Sequence, residues 1–342
     1  MNHPKKMLVA DFFCGCGGLG LGFHNEGYDV VLANDIWDEA LNTHKLNFPN
    51  TKHMLGDLSN EKFKKEICEQ LKQHQIDVFI GGPPCQSFSM AGKRNPTDPR
   101  GKLFFDYIDV VNRVRPKIVV AENVKGILTM AFNGTKVSSL ITNAFKDAGY
   151  TTEFRLLNAA DYGVPQKRKR VIFIAVRNDI DIEPSELYPI KTHTPEQYKT
   201  VYQAIDDLKD VPDNKLLHHV RTKHKEYFIQ KIQNTKFGES ATPKYKEAFF
   251  KLFPNKPALT VKGCNGGVFL HYAKNRCMTP RELARLQLFK DTFLFFGSKG
   301  SVYTQIGNAV PVGLSQAIAH RIASVMKKRP VKKQRIILAA RQ

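Results

Sequence analysis

The chain has 342 residues, 42% of them hydrophobic, so it can bury the core of one large domain or two. No apolar run approaches the roughly 18 residues of a membrane span, and residues 1–6 lack the apolar stretch of a secretory signal, so the expectation is a soluble, intracellular protein. The net charge of +20 is segregated: residues 1–150 hold 18 Lys and Arg against 16 Asp and Glu, whereas residues 151–342 hold 34 against 16, and a surface so basic in one part suits a polyanion, nucleic acid first.

In chain order, apolar runs at residues 7–13, 29–33, 77–81 and 117–121 predict four strands. Amphipathic stretches at about 18–26, 36–48, 60–75, 102–115 and 136–148 predict helices, with Gly27 and Gly149 as stops. Strands separated by such helices require right-handed crossovers and a mostly parallel, doubly wound α/β sheet. A later strand is expected at 171–176. From about 178 to 275 the alternation fades into Lys, Asn, His and Pro with scattered aromatics, the pattern of a separate module or a long insertion. A helix is expected over 279–288, opened by Thr279-Pro280 with Glu282 in place for a capping box. Another is expected over 312–328, before a basic tail. The six cysteines are scattered, and Cys14 and Cys16 lack zinc-ligand spacing and a His cluster. Neither a disulfide framework nor a metal site is expected.

The chemistry sits at the strand ends, where open α/β sheets bind ligands. After the first strand, Gly15, Gly17 and Gly20 match G-x-G-x-x-G, a loop whose backbone can approach a nucleotide-like ligand. Asp35 ends the second strand 20 residues beyond Gly15; it suits ribose hydroxyls or, equally, a helix cap. The third strand runs into Pro83-Pro84-Cys85-Gln86. Neither proline donates an N–H, so a thiol is held on a stiff turn; Cys85 is a nucleophile or a small buried hydrophobe. Glu122 ends the fourth strand, as a proton-handling carboxyl or a solvated acid.

In these blocks the chain resembles the DNA (cytosine-5)-methyltransferases. Residues 11–18, 82–89, 100–105, 122–124, 166–170 and 307–310 carry the likeness in family order, and 276–287 matches more loosely. The resemblance implies a Rossmann-like S-adenosylmethionine-dependent methyltransferase fold, with residues 1–190 and 303–342 as the catalytic domain and 191–302 as the target-recognition domain and hinge. It implies that Phe13, Gly15, Gly17, Gly18, Asp35, Ile36, Asp57, Leu58, Pro84, Leu103, Asn308 and Val310 hold S-adenosylmethionine. Cys85 would be the nucleophile, Glu122 would meet the cytosine at N3 and its amino group, and Arg168 and Arg170 would face the base and its backbone. Gln86, Ser89, Arg100, Lys167, Thr260 and Val261 would contact double-stranded DNA. No metal is implied. The setting would be a bacterial restriction-modification system, with a cytoplasmic monomer that associates with the nucleoid when bound to DNA and an endonuclease acting separately. The chain departs from the family pattern at Leu288-Phe289-Lys290, where Gly-Phe-Pro is usual. It departs again at Asp35-Ile36, where Ile36 removes an aromatic partner from the adenine face.

The implied reaction suits these residue types. Carbon 5 of cytosine is a poor nucleophile until a thiolate adds at carbon 6, and cysteine is the most nucleophilic side chain near neutral pH. A carboxyl at N3 stabilises the charge placed on the ring. The base must leave the duplex stack to be reached. Two other readings compete. A nicotinamide-dependent oxidoreductase accounts for the glycine loop and Asp35 but not for Cys85, Glu122 or the basic second part. An RNA methyltransferase of the same lineage, or a DNA-binding relative without activity, differs in substrate or turnover.

Overall fold

The computed structural model describes residues 6–84, 99–132, 134–242, 248–263 and 268–328, with the backbone alone of 99–102. Seven strands form one sheet: β1 (Leu8–Phe12), β2 (Asp29–Asp35), β3 (Lys52–Leu55), β4 (Val78–Gly81), β5 (Ile118–Val124), β6 (Tyr150–Asn158) and β7 (Lys169–Arg177). Their order is β3-β2-β1-β4-β5-β7-β6. The first five pair in parallel, and β7 joins β5 and β6 antiparallel. The chain winds outward from β1 to β3, then returns to lay β4 on the other side of β1. That reversal opens a crevice at the carboxyl ends of β1 and β4.

Period-two alternation fixes both faces of the sheet. Val9, Ile80, Val120 and Ile174 turn to a core shared with α1 (Gly18–Asn25) and α10 (Val312–Lys328). Ala10, Phe79, Val119 and Phe173 turn to a second core under α3 (Glu61–Lys72), α4 (Pro99–Val114) and α5 (Val137–Asp147). Each fully buried aliphatic side chain contributes about 1.5–3 kcal/mol of transfer free energy. α2 (Asp38–Asn47) lies between β2 and β3 in the chain.

No strand of 178–302 joins the sheet among the described residues. This stretch carries the short α6 (Val201–Ile205), α7 (Glu226–Asn234), α8 (Pro280–Leu286) and the start of α9 (Lys299–Asn308), with isolated bridges such as Lys251 to Leu270. Val201, Leu252 and Val261 join the first core, while Ile232, Ala241, Leu270 and Cys277 form a small one of their own. The capping box at α8 forms as expected, with Thr279 and Glu282 bonded reciprocally. Just beyond that helix, Leu288 takes a left-handed φ of 63°. This is the position where the family pattern has glycine, and a leucine in that conformation carries local strain.

Candidate active site

Four strand ends and one late helix build the site. Phe13 follows β1 with φ 52°, an unfavourable conformation for a bulky residue, and the chain then runs through Gly15 and Gly17, both at positive φ. Gly18 opens α1. A Cβ there would lie 2.5 Å from the Val310 carbonyl, so only glycine lets the loop close on residues 309–310. Asp35 ties the loop down: Oδ2 accepts from the Gly15 amide at 2.7 Å and Oδ1 from the Trp37 amide at 2.9 Å. Burial raises its pKa, and those same amides, Trp37 first, oppose the rise.

At the end of β4, the Pro83 carbonyl accepts from Asn123 Nδ2 at 3.0 Å, which fixes the proline turn to β5. Glu122 Oε1 lies 2.7 Å from Arg170 Nε. That N–H is not aligned on the oxygen, so the contact is a Coulombic pair rather than a directed hydrogen bond. Arg168 is fully buried and donates to the carbonyls of Val261 at 2.8 Å and Gly307 at 2.9 Å. Burial, with Arg170 nearby, pulls its pKa down to about 9.

These elements enclose one cavity of about 440 Å³, a size that accommodates a small-molecule ligand. Phe13, Gly15, Gly18, Asp35, Ile36, Pro84, Glu122, Arg168, Arg170, Asn308 and Val310 line it.

A model of the C-5 cytosine-specific DNA methylases matches residues 7–324. The chain belongs to that family. Type II methyltransferase M1.HphI of Haemophilus parahaemolyticus is 36% identical over 335 residues, covering 94% of this chain and 87% of the relative. Type II methyltransferase M.NgoPII of Neisseria gonorrhoeae is 36% identical over 343 residues, covering 95% and 97%. Among solved structures, one described as a DNA modification methyltransferase encoded within an Escherichia coli prophage matches with a TM-score of 0.78 at 28% identity, over 94% of this chain and all of the other. The S. pombe Dnmt2 methyltransferase shares the fold, with a TM-score of 0.67 at 18% identity over 94% and 99%. The chain is thus a DNA (cytosine-5)-methyltransferase with the expected mostly parallel α/β fold.

In this methylase several expected residues lie elsewhere. Gly17 sits behind the loop, against His44 and Phe48. Asp57 is exposed and accepts from the Ser59 amide, and Leu58 is buried in the second core. Leu103 is half-buried on α4 and does not line the cavity. Val261 is corrected from a DNA contact to a core residue: Gln166 and Arg168 bond its backbone, and no surface of it remains. Thr260 bonds the Lys167 carbonyl at 3.1 Å, and Lys167 itself is exposed. Arg168 lines the cavity, but its terminal nitrogens serve backbone carbonyls rather than a free face. Cys85, Gln86 and Ser89 lie outside the described residues, as does the side chain of Arg100.

The cavity also holds residues to which the sequence reading gave no place in it: Asp11, Cys14, Cys16, Trp37, Asn123, Gln305 and Ala309 among them. Trp37, the chain's one tryptophan, puts an aromatic in the cavity lining one residue after Ile36. Gln305 stands one helical turn before Asn308 on α9, a spacing that could have flagged it.

Proposed function

We propose that this methylase methylates a flipped cytosine in a specific duplex DNA sequence, with Cys85 as nucleophile and S-adenosylmethionine as methyl donor. One observation carries the reading. The Glu122–Arg170 pair, the glycine loop and Pro84, the residue before Cys85, all line a single cavity. The residues fit the donor. Phe13, Ile36 and Trp37 offer apolar and aromatic surface, Asp35 offers carboxylate lone pairs, and Asp11 brings a buried carboxylate with no hydrogen-bond partner among the described residues. Such an orphaned acid suits a cationic group. When bound, S-adenosylmethionine supplies an electrophilic methyl group.

The chain's residues do the rest. Cys85 adds at carbon 6, which makes carbon 5 nucleophilic; once carbon 5 is methylated and its proton lost, Cys85 departs and the ring is restored. Glu122 meets N3 and the amino group, held in orientation by Arg170. Residues 191–302 serve as the recognition domain and hinge, between catalytic segments 1–190 and 303–342. Lys167, Thr260, Gln86, Ser89 and Arg100 contact the DNA. The Type II relatives support a place in a restriction-modification system; in this reading the protein is a cytoplasmic monomer that works beside a separate endonuclease. No helix among the described residues is long and apolar enough to cross a membrane.

Bisulfite sequencing of duplex DNA incubated with the protein and S-adenosylmethionine tests the reading. Protected cytosines confined to one sequence context are expected; uniform conversion would refute it.

A further inference from the structure

Behind the glycine loop lies a line of three titratable groups, of which the methyl-transfer reading gives a task to Asp11 alone. Asp11 is fully buried on β1 yet lines the cavity, and neither carboxylate oxygen has a hydrogen-bond partner among the described residues. Its Oδ2 lies against Gly20, where a Cβ would come within 2.7 Å, and 4.0 Å from Nε2 of His44. That nitrogen is also buried without a partner. The His44 ring is stacked on Phe48, and its Nδ1 lies 2.8 Å from Nε2 of His53, a half-buried residue of β3.

A nitrogen–nitrogen contact of that length needs one ring to donate and the other to accept. The pair therefore has two tautomeric arrangements. In one, His44 turns a lone pair toward Asp11; in the other, an N–H. Burial holds His44 down to about 3 and His53 down to about 4, so both rings are neutral near neutral pH and free to exchange arrangements. The charges around them are named readily. Asp11 is faced by Asp35 from β2, Cys14 and Cys16 from the loop, Tyr107 from α4 and His44 from α2; His53 is faced by Lys45. Burial and Asp35 hold the Asp11 carboxyl well above the usual carboxylate range, and the Gly20 amide, close by but outside hydrogen-bond geometry, opposes the rise.

We propose that Asp11, His44 and His53 form a proton relay that couples entry of a cationic ligand group into the cavity to loss of one proton from the protein. The inference rests on the cofactor reading, since S-adenosylmethionine carries a sulfonium and an ammonium. Asp11 gives its proton to His44 Nε2 once the 4.0 Å gap between them closes, His44 Nδ1 gives its own to His53 Nε2 at 2.8 Å, and His53, half-buried beside the Thr51 backbone, passes one on to water. The carboxylate left behind faces the cation. His44 and His53 touch no ligand and act as positioning residues for the Asp11 proton.

Isothermal titration of the full chain with S-adenosylmethionine, in buffers of different ionisation enthalpy, measures the protons released. Release approaching one proton is expected wherever the free protein still holds the Asp11 proton and the complex does not, with affinity rising about tenfold per pH unit there. Asp11→Asn should bind more weakly and release none. His44→Phe, which keeps the stack on Phe48, should still bind but shift the pH at which affinity levels off upward. Binding heats independent of buffer would overturn the relay alone. Absence of binding in every buffer would overturn the cofactor reading and the relay together. An unchanged pH midpoint in His44→Phe would also overturn the relay.

Discussion

Glu122 and Arg170 meet diagonally across two antiparallel strands. In the ladder Glu122 opposes Ile172 and Arg170 opposes Val124, and the side chains cross to within 2.7 Å. Each side chain is only 13% exposed, so the pair sits where water screens poorly and opposite charges hold one another strongly. Rigid β5 and β7 backbones set the meeting point at the cavity wall.

Arg170→Ala therefore leaves Glu122 unanchored at its strand end. The expected result is a fall in kcat of about 10²–10³ with cofactor affinity nearly unchanged. Single-turnover methylation and equilibrium binding of labelled S-adenosylmethionine separate the two. Lysine, which keeps the charge that holds Glu122, should restore part of the rate.

Asp35 is a tether for the glycine loop, since both its oxygens already accept amides of the loop and of the β2 end. Asp35→Ala should free Gly15 and weaken cofactor binding by about 10- to 100-fold, equivalent to roughly 1.4–2.8 kcal/mol. Asp35→Asn, with one accepting oxygen in place of two, should fall between. Equal affinity in the alanine variant would remove the tether from the account.

Arg168 joins two distant stretches, at Val261 and Gly307. A Cβ on Gly307 would strike the Lys262-Gly263 backbone, so these stretches lie in direct contact. Arg168→Met leaves two carbonyls without their donor and should lower stability by about 2–4 kcal/mol. The urea midpoint should fall with little change in m-value. Lysine, with one ammonium for two carbonyls, should recover only part.

His271 gives the fold an acid-side weakness. It is fully buried, its Nδ1 accepts from the Ala273 and Lys274 amides, and burial lowers its pKa to about 4. Below its ordinary value of 6.5 the unfolded chain takes up a proton that the folded chain refuses until about pH 4. Stability from this group is complete above that ordinary value and is lost as pH falls, by up to about 1.4 kcal/mol per pH unit. Glu282, held below its ordinary value against burial chiefly by Arg276, loses stability in the same direction. His271→Gln should flatten the fall of the unfolding midpoint between those pH values; an unchanged slope would assign the proton elsewhere.

Much of the fold was legible because buried parallel strands read as apolar runs and their ends carry Gly, Pro and acids. β1, β2, β4, β5 and β7 followed from that pattern, and α10 begins at the Val312 expected for it. β3 and β6 did not. Both lie at sheet edges, with Lys52, Leu55, Phe154 and Leu156 exposed, so their runs mix polar and apolar residues. The site split the same way. Asp35 and Glu122, marked by their positions at strand ends, line the cavity. Leu58 and Val261, which the family resemblance puts at the cofactor and the DNA, are buried by partners far along the chain that no local pattern shows. Asp11 was hidden inside a strand pattern, and only the crevice beside β1 shows what its carboxylate faces.

The central claim is attack by Cys85 on carbon 6. Its most direct test is to incubate the protein, with S-adenosylmethionine, on duplex DNA carrying 5-fluorocytosine at a cytosine mapped by bisulfite sequencing. Fluorine cannot leave as a proton does, so the thiol should stay attached. A denaturant-resistant complex is expected, with the DNA on the Cys85 peptide by mass spectrometry and none formed by Cys85→Ser. Active enzyme that forms no such complex, or a Cys85→Ser variant that still methylates, would contradict the account.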